Sequence, residues 1–303
     1  MSSDTKKRIG ILRGGSGSGY ESSLKRGGEV ILYIHENLAE KYKPVDIFID
    51  QDYIWHVNGL PVNPGDLVSK VDIVWNISHP SLSNILESLF IPNIGVSSFS
   101  HALGNNREML REHMKGMGVS MPRHIVLPLY QEDFDGEKSK YAIKKAKEIF
   151  EKFGSPWVVK SFTPDSSMGI HLAKTFGELV SAIADGVNHE KSILVEEFIS
   201  GQVGAMHSVS NFRNEPVYVF PVSGFNSEDK DKLTSLAKTL HTHIDANNYL
   251  KVDFVLDKRG KVHITSIEFL PDLRPDSHFH QAVESVGAKM HHVVEHILEG
   301  VLL

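Results

Sequence analysis

The sequence predicts an α/β domain built on a parallel sheet, followed by two α+β modules. Three observations carry this. Short apolar runs alternate with stretches of helical spacing over the first hundred residues, with no internal repeat and no low-complexity tract. The first of those runs passes directly through a glycine-rich turn into a helix, a β-loop-α unit. From Arg107 onward the pattern changes to a small α+β module ending near Asn188, followed by a third block of helix, two strands and helix.

In chain order, Arg8 to Leu12 reads as a strand, Gly14-Gly15-Ser16-Gly17-Ser18-Gly19 as a loop and Glu21 to Glu40 as a helix. Further strands are expected at Val45 to Ile49, Val71 to Ile77 and Ile91 to Val96, with a helix over Ser81 to Leu89. The loop's spacing is neither a dinucleotide fingerprint nor a P-loop, since no Gly-Lys-Ser/Thr follows. What remains is a helix N-terminus suited to an anion, or a turn that needs positive φ.

The middle of the chain carries a helix over Arg107 to Met117, a strand at His124 to Leu127 and a charged amphipathic helix over Lys138 to Phe153. Strands at Trp157 to Lys160 and Ile170 to Ala173 and a helix over Phe176 to Ala184 follow, and Ser192 to Gly201 (SILVEEFISG) is a strand stopping in a charged pair. The last block is expected to hold a helix over Glu228 to His243 and strands at Tyr249 to Leu256 and Lys261 to Phe269. The turn Asp257-Lys258-Arg259-Gly260 joins those strands, and one long helix closes the chain near Ser277 to Leu298. Domain boundaries follow at 1–103, 104–189 and 190–303.

Composition excludes several classes. The net charge is −6, from 32 basic and 38 acidic residues, which argues against a general nucleic-acid binder. With no cysteine, there is no disulfide, thiolate catalysis or zinc held on sulfur. The start MSSDTKKRIGIL lacks a signal-peptide core and no apolar run approaches a membrane span, so a cytoplasmic protein without membrane partners is expected.

The chemistry concentrates in Gly154 to Gly169, GSPWVVKSFTPDSSMG. Lys160 at the end of an apolar strand is a point charge for a polyphosphate, and a turn around Ser166, Ser167 and Gly169 offers backbone N–H groups to its other end. Glu196 in the SILVEEFISG segment could accept from the exocyclic amine of a base. Asp253 and Glu268 lie one on each strand of the final hairpin, where they could share one magnesium ion or pair with Lys251. Replacing either by alanine is expected to abolish metal-dependent nucleotide binding with little loss of stability, since removing one carboxylate relieves its repulsion of the other. His278, His280, His291 and His292 read as a solvated helix face rather than a metal cluster, and Trp55, Trp75 and Trp157 as packing residues.

The order of the Lys160 strand, the serine turn, SILVEEFISG, KVDFVLD and HITSIEF resembles the ATP-grasp superfamily. With GGSGSGYESSL, IPNIG and the segment Gly118 to Pro122, nearly the whole chain is most similar to the D-alanine–D-alanine ligases. The resemblance implies a Rossmann-like N-terminal domain and two ATP-grasp modules enclosing ATP. It also implies Mg2+, a small amino-acid substrate, an acylphosphate route to a dipeptide for peptidoglycan, and a homodimer. Lys160 and Arg107 would then contact the phosphates, and Glu196, Glu197 and Ile199 the adenine. Asp253 and Glu268 would hold magnesium, Ser166 and Ser167 would cover substrate and γ-phosphate, and Lys251 would stand where the family has an arginine beside the transferred phosphoryl.

The chain also departs from that pattern. The family's substrate-anchoring glutamate aligns with Gly19, leaving Glu21 as the nearby carboxylate, and its ribose ligand aligns with Val203. The histidine-glycine motif reads His79-Pro80, and the lid is reduced to Val222 to Asp229. The third metal ligand becomes Leu270, with Asp272 as a substitute. The alternatives are a ligase with a different amino acid, or a degenerate relative that binds nucleotide or a partner without ligating.

Overall fold

The computed structural model describes residues 6–15, 19–162 and 168–302. The N-terminal segment begins with β1 (Lys7–Gly14), α1 (Tyr20–Asn37) and β2 (Tyr42–Ile49). Next come β3 (Trp55–Val57), β4 (Leu60–Val62), β5 (Ile73–Asn76), α2 (Ser81–Ser88), β6 (Asn93–Ile94), α3 (Ser98–Asn105) and α4 (Arg107–Gly116). The strands form one six-stranded sheet in the order β4-β3-β2-β1-β5-β6. β1 runs parallel to β2 from Lys7↔Tyr42 to Gly14↔Ile49 and parallel to β5, and β5 runs parallel to β6.

Ile9, Ile11 and Leu12 are fully buried because helices cover this part of the sheet, which gives β1 its unbroken apolar reading. α1 packs through Ser23, Gly27, Val30 and Ile34, one face of a helix. At the end of β1, Gly14 has φ +88° and a Cβ there would lie 2.2 Å from the Ile49 carbonyl oxygen, so only glycine fits. Two elements here differ from expectation. The Ile91 to Val96 run shortens to a two-residue strand, and the antiparallel hairpin β3–β4 extends the sheet through Asn58 and Gly59, both at positive φ.

The middle segment comprises β7 (His124–Leu127), α5 (Tyr130–Asp133), α6 (Lys138–Lys152), β8 (Trp157–Ser161), β9 (His171–Ala173), α7 (Phe176–Asn188) and β10 (Ile193–Glu197). Its sheet is antiparallel, ordered β7-β10-β8-β9. α6 and α7 bury Tyr141, Ala146, Ile149, Leu179 and Ile183 with Trp157 and Val159 of β8. A capping box between Thr175 and Glu178 starts α7.

The remainder holds β11 (Gly201–Ser210), β12 (Val217–Phe220), α8 (Ser227–His243), β13 (Tyr249–Asp257), β14 (Val262–Glu268), α9 (His278–Ser285) and α10 (Met290–Leu302), with a sheet ordered β12-β11-β13-β14. The single closing helix expected from sequence is two helices. Gly287 takes φ +70° after α9, which ends the first and turns the chain before Met290. β11 and β12 were not foreseen. Among the described residues no helix is long and apolar enough to cross a membrane.

The chain forms two compact units: Met1–His113 with Val203–Phe254 and Ser266–Leu303, and Met114–Gln202 with Val255–Thr265. The first buries two histidines in its core. His207 is 2% exposed with Nδ1 2.8 Å from the Tyr249 hydroxyl, and His241 lies between the hydroxyls of Ser208 and Ser210, each at 2.8 Å. Burial pushes the His207 pKa down to about 3, with help from His278 and Lys251, and the His241 pKa down to about 4. Both are lowered from an unfolded value near ~6.5, so their neutral-state stability is present above that pH and is lost as pH falls toward the folded values. Chemical denaturation is therefore expected to show stability dropping by a few kcal/mol between about pH 7 and pH 4. His241→Gln should flatten that slope, and an unchanged slope would remove His241 from the account.

Candidate functional site

In the second unit the pairing of β8 with β10 sets Val158 opposite Glu196 and Lys160 opposite Leu194, so Lys160 and Glu196 share a face as diagonal neighbours. Lys160 Nζ lies 2.8 Å from Glu196 Oε2, and Glu196 is only 4% exposed. A carboxylate so far from water needs such a partner. Glu197, the next residue, points to the other face and receives both ends of the Arg123 guanidinium at 2.9 and 3.0 Å. Those hydrogen bonds hold the Glu197 carboxyl below the usual range, against the opposing effect of burial. The Glu197 N–H donates to the Arg123 carbonyl and the Phe198 N–H to the Pro156 carbonyl. Ile199 is half-buried just beyond β10. Ser166 and Ser167 lie outside the described residues.

In the first unit, β13 and β14 place charged side chains together by the two-residue period of a strand. Lys251 and Asp253 share a face of β13, Ser266 and Glu268 a face of β14. Lys251 Nζ is 3.0 Å from Asp253 Oδ2 and 3.1 Å from Glu268 Oε1. Arg26 of α1 donates to Glu268 Oε2 at 2.9 Å, and the Ser266 hydroxyl donates to Asp253 Oδ2 at 2.6 Å. Burial works against the Lys251 ammonium, but Asp253 and Glu268 outweigh it and raise its pKa. Burial also pushes the Glu268 carboxyl up, and Lys251 and Arg26 more than reverse this.

The two carboxylates are thus partners in ion pairs and not a mutually repelling couple. This corrects the expectation that either could be removed at little cost.

The donor set suits magnesium, which takes hard oxygen ligands and commonly uses one or two protein carboxylates, leaving its other positions to water and phosphate. Among the described residues no group of three or more His, Asp or Glu side chains is arranged for a metal. Asp272 is engaged by Arg274, with its oxygens at 2.9 and 2.6 Å from Nε and Nη2, and that bonding lowers its pKa.

Arg107 is 8% exposed at the start of α4, and Glu21 is exposed in the first turn of α1. In the glycine-rich turn, the Gly14 N–H donates to the Ser23 hydroxyl at 3.0 Å and the Gly15 N–H to the Ile49 carbonyl at 2.8 Å, so these two donors are used within the fold. The histidines expected on one solvated face have individual partners. His278 stacks on His207, His280 lies 3.4 Å from Glu284, and His291 and His292 contact each other edge-on. All three tryptophans are buried, and Trp157 donates to the Phe153 carbonyl. Sequence reasoning missed Arg26, Arg123 and Ser266. Arg26 reaches Glu268 across 242 positions, a separation no local pattern reveals.

A family model described as D-ala D-ala ligase C-terminus matches residues 114–224 and 214–299. A D-alanine–D-alanine ligase of Geotalea uraniireducens is 26% identical over 324 residues, covering 98% of this chain and 96% of the relative. The crystal structure of the VanG D-Ala:D-Ser ligase from Enterococcus faecalis superposes with TM-score 0.70 at 19% identity, covering 99% of this chain and 100% of that one. That of the D-alanine–D-alanine ligase from Bacillus anthracis complexed with ATP gives 0.67 at 19% identity, covering 98% and 97%. These likenesses in structure give the ATP-grasp fold that the resemblance of the motifs implies. The family model spans more than half of the chain, and the chain belongs to the D-alanine–D-alanine ligase family.

Proposed function

We propose that the protein is an ATP-dependent carboxylate–amine ligase that activates an amino-acid carboxylate as an acylphosphate and joins it to a second amine, acting in the cytoplasm on precursors of peptidoglycan. The observation that supports this reading is the charged group on β13 and β14 with Arg26 of α1, in which Arg26–Glu268, Lys251–Asp253 and Lys251–Glu268 are joined by ion pairs of 2.9, 3.0 and 3.1 Å. Phosphoryl transfer asks a protein for positioning and charge neutralisation more than for covalent chemistry, and this arrangement supplies both signs of charge. Asp253 and Glu268 would hold magnesium, which when bound neutralises phosphate charge. Lys160 and Arg107 would meet the nucleotide phosphates, Glu196, Glu197 and Ile199 would contribute to base binding, and Ser166 and Ser167 would cover the reacting groups. Lys251 and Arg26 would offer cations to the transferred phosphoryl, Lys251 without an arginine's planar fork. A homodimer and the three modules 1–103, 104–189 and 190–303 are part of this proposal.

The test is release of ADP and phosphate on adding D-alanine, D-serine and a panel of other amino acids with Mg2+. Turnover that rises with one amino acid supports the ligase, and no amino-acid dependence contradicts it.

A second reading, nucleotide binding without ligation, is favoured by the position of Gly19. It caps α1 with no carboxylate of its own, and a Cβ there would meet nothing within 4 Å. The substrate ammonium would then depend on Glu21. An ammonium held without a counter-ion costs several kcal/mol, so D-alanine is expected to bind weakly. Gly19 has φ −86°, which any residue adopts, and the space is open, so Gly19→Glu should fold normally. It should tighten the apparent affinity for D-alanine, read by calorimetry, about tenfold or more, a gain of ~1.4 kcal/mol. Efficient dipeptide formation by the unaltered protein, insensitive to Glu21→Ala, would contradict this reading of the N-terminal turn.

A further inference from the structure

We propose that Lys251 is an internal substitute for a divalent cation: in the free protein its ammonium closes the Asp253–Glu268 pair, and the pair accepts a divalent ion only after an anion draws Lys251 away. The inference rests on the reading of Asp253 and Glu268 as magnesium ligands and adds an order of events to it.

The geometry is that of a bridging cation. The ammonium contacts one oxygen from each carboxylate, at 3.0 and 3.1 Å, so it occupies the position from which one ion could touch both. The other Glu268 oxygen is held by Arg26 at 2.9 Å, and Ser266 donates to the Asp253 oxygen that Lys251 also contacts. Two carboxylates and two cations sum to zero within the group. A divalent ion arriving there would bring two further positive charges against an ammonium a few ångströms away, at a place only about a quarter to a third exposed to screening water.

Removing Lys251 reverses the balance, since two carboxylates then face Arg26 alone. A phosphate-bearing ligand would achieve the same by attracting the ammonium. Lysine suits such a movement because its charge is compact and sits on a flexible four-carbon stem, whereas an arginine's planar fork is held by several directed hydrogen bonds. Metal and polyphosphate would then bind together, and the free protein would not bind metal first.

The experiment is Mn2+ titration of the full chain without nucleotide, following the free ion by electron paramagnetic resonance. Wild type, Lys251→Met and Lys251→Met/Asp253→Asn are compared, with circular dichroism to confirm folding. Lys251→Met is expected to bind one Mn2+ at least tenfold more tightly than wild type, and the double variant to lose that gain. If Lys251→Met does not fold, Lys251→Gln replaces it, because it keeps a hydrogen-bond donor on a shorter stem and removes the charge. Equal Mn2+ affinity in wild type and a folded Lys251 variant would overturn the proposal, as would a gain that survives Asp253→Asn. No nucleotide or turnover is involved, so a protein that fails to ligate but gains Mn2+ binding on loss of Lys251 would sink the ligase reading alone.

Discussion

Lys160→Ala is expected to weaken ATP binding by about 2–5 kcal/mol, ~30-fold to several thousand-fold, because it removes a point charge from desolvated phosphates. The structure adds a second consequence. Lys160 is 2.8 Å from Glu196, whose side chain is almost completely buried, so the same substitution also takes a cation from a carboxylate inside the fold. Breaking a buried ion pair by removing one partner costs roughly 3–5 kcal/mol of stability. The two effects separate in a double-mutant cycle. Glu196→Gln added to Lys160→Ala should restore most of the lost stability, because a neutral amide replaces a buried carboxylate that has lost the Lys160 cation, and should leave nucleotide affinity low. Denaturation curves and calorimetry on the four proteins measure both. Unchanged nucleotide affinity in Lys160→Ala would remove Lys160 from the nucleotide assignment.

Glu268→Ala should be the most damaging change on the final hairpin. Either alanine variant leaves the group with a net charge of +1, but Glu268→Ala takes the carboxylate from Arg26 and leaves Lys251 with Asp253 alone, whereas Asp253→Ala leaves Lys251 and Arg26 both still paired to Glu268. With side chains a quarter to a third exposed, water screens part of the loss, so the stability cost of Glu268→Ala is expected at about 1–3 kcal/mol and that of Asp253→Ala below it. Both should abolish the magnesium dependence of nucleotide binding. Glu268→Gln keeps the shape and should recover part of the stability without restoring that dependence. Melting curves with and without Mg2+ and nucleotide check this. Equal destabilisation by the two alanine variants would contradict the asymmetry that Arg26 imposes.

The strands and helices that were legible from sequence are those whose burial produces a period. α1 shows its buried face at Ser23, Gly27, Val30 and Ile34, and β1 reads as apolar because Ile9, Ile11 and Leu12 are fully buried. β11 was missed because Gly201 to Ser210 starts exposed and ends buried, so neither alternation nor a continuous apolar run marks it. The β3–β4 hairpin was missed despite Asn58-Gly59, the residues its turn needs, since strands of three residues give too short a pattern. In the candidate site, Lys251, Asp253 and Glu268 were legible as charges on apolar strands. Their pairing geometry was not, and neither was Arg26, because α1 and β14 meet only through tertiary packing. Lys160 and Glu196 were each singled out, but their pairing follows from the register of β8 against β10, which sequence does not set by itself.

The central claim, that an amino-acid carboxylate is activated by phosphoryl transfer from ATP, is tested most directly by isotope transfer. With D-alanine, or whichever amino acid raises ADP release, labelled with 18O in its carboxylate, acylphosphate formation joins one carboxylate oxygen to phosphorus, and attack of the second amine breaks the bond from carbon to that oxygen. Mass spectrometry of the products is expected to show one labelled oxygen in each phosphate released and one retained in the new amide carbonyl. Phosphate without label would mean that water, and not the amino acid, attacks ATP, and would contradict the account.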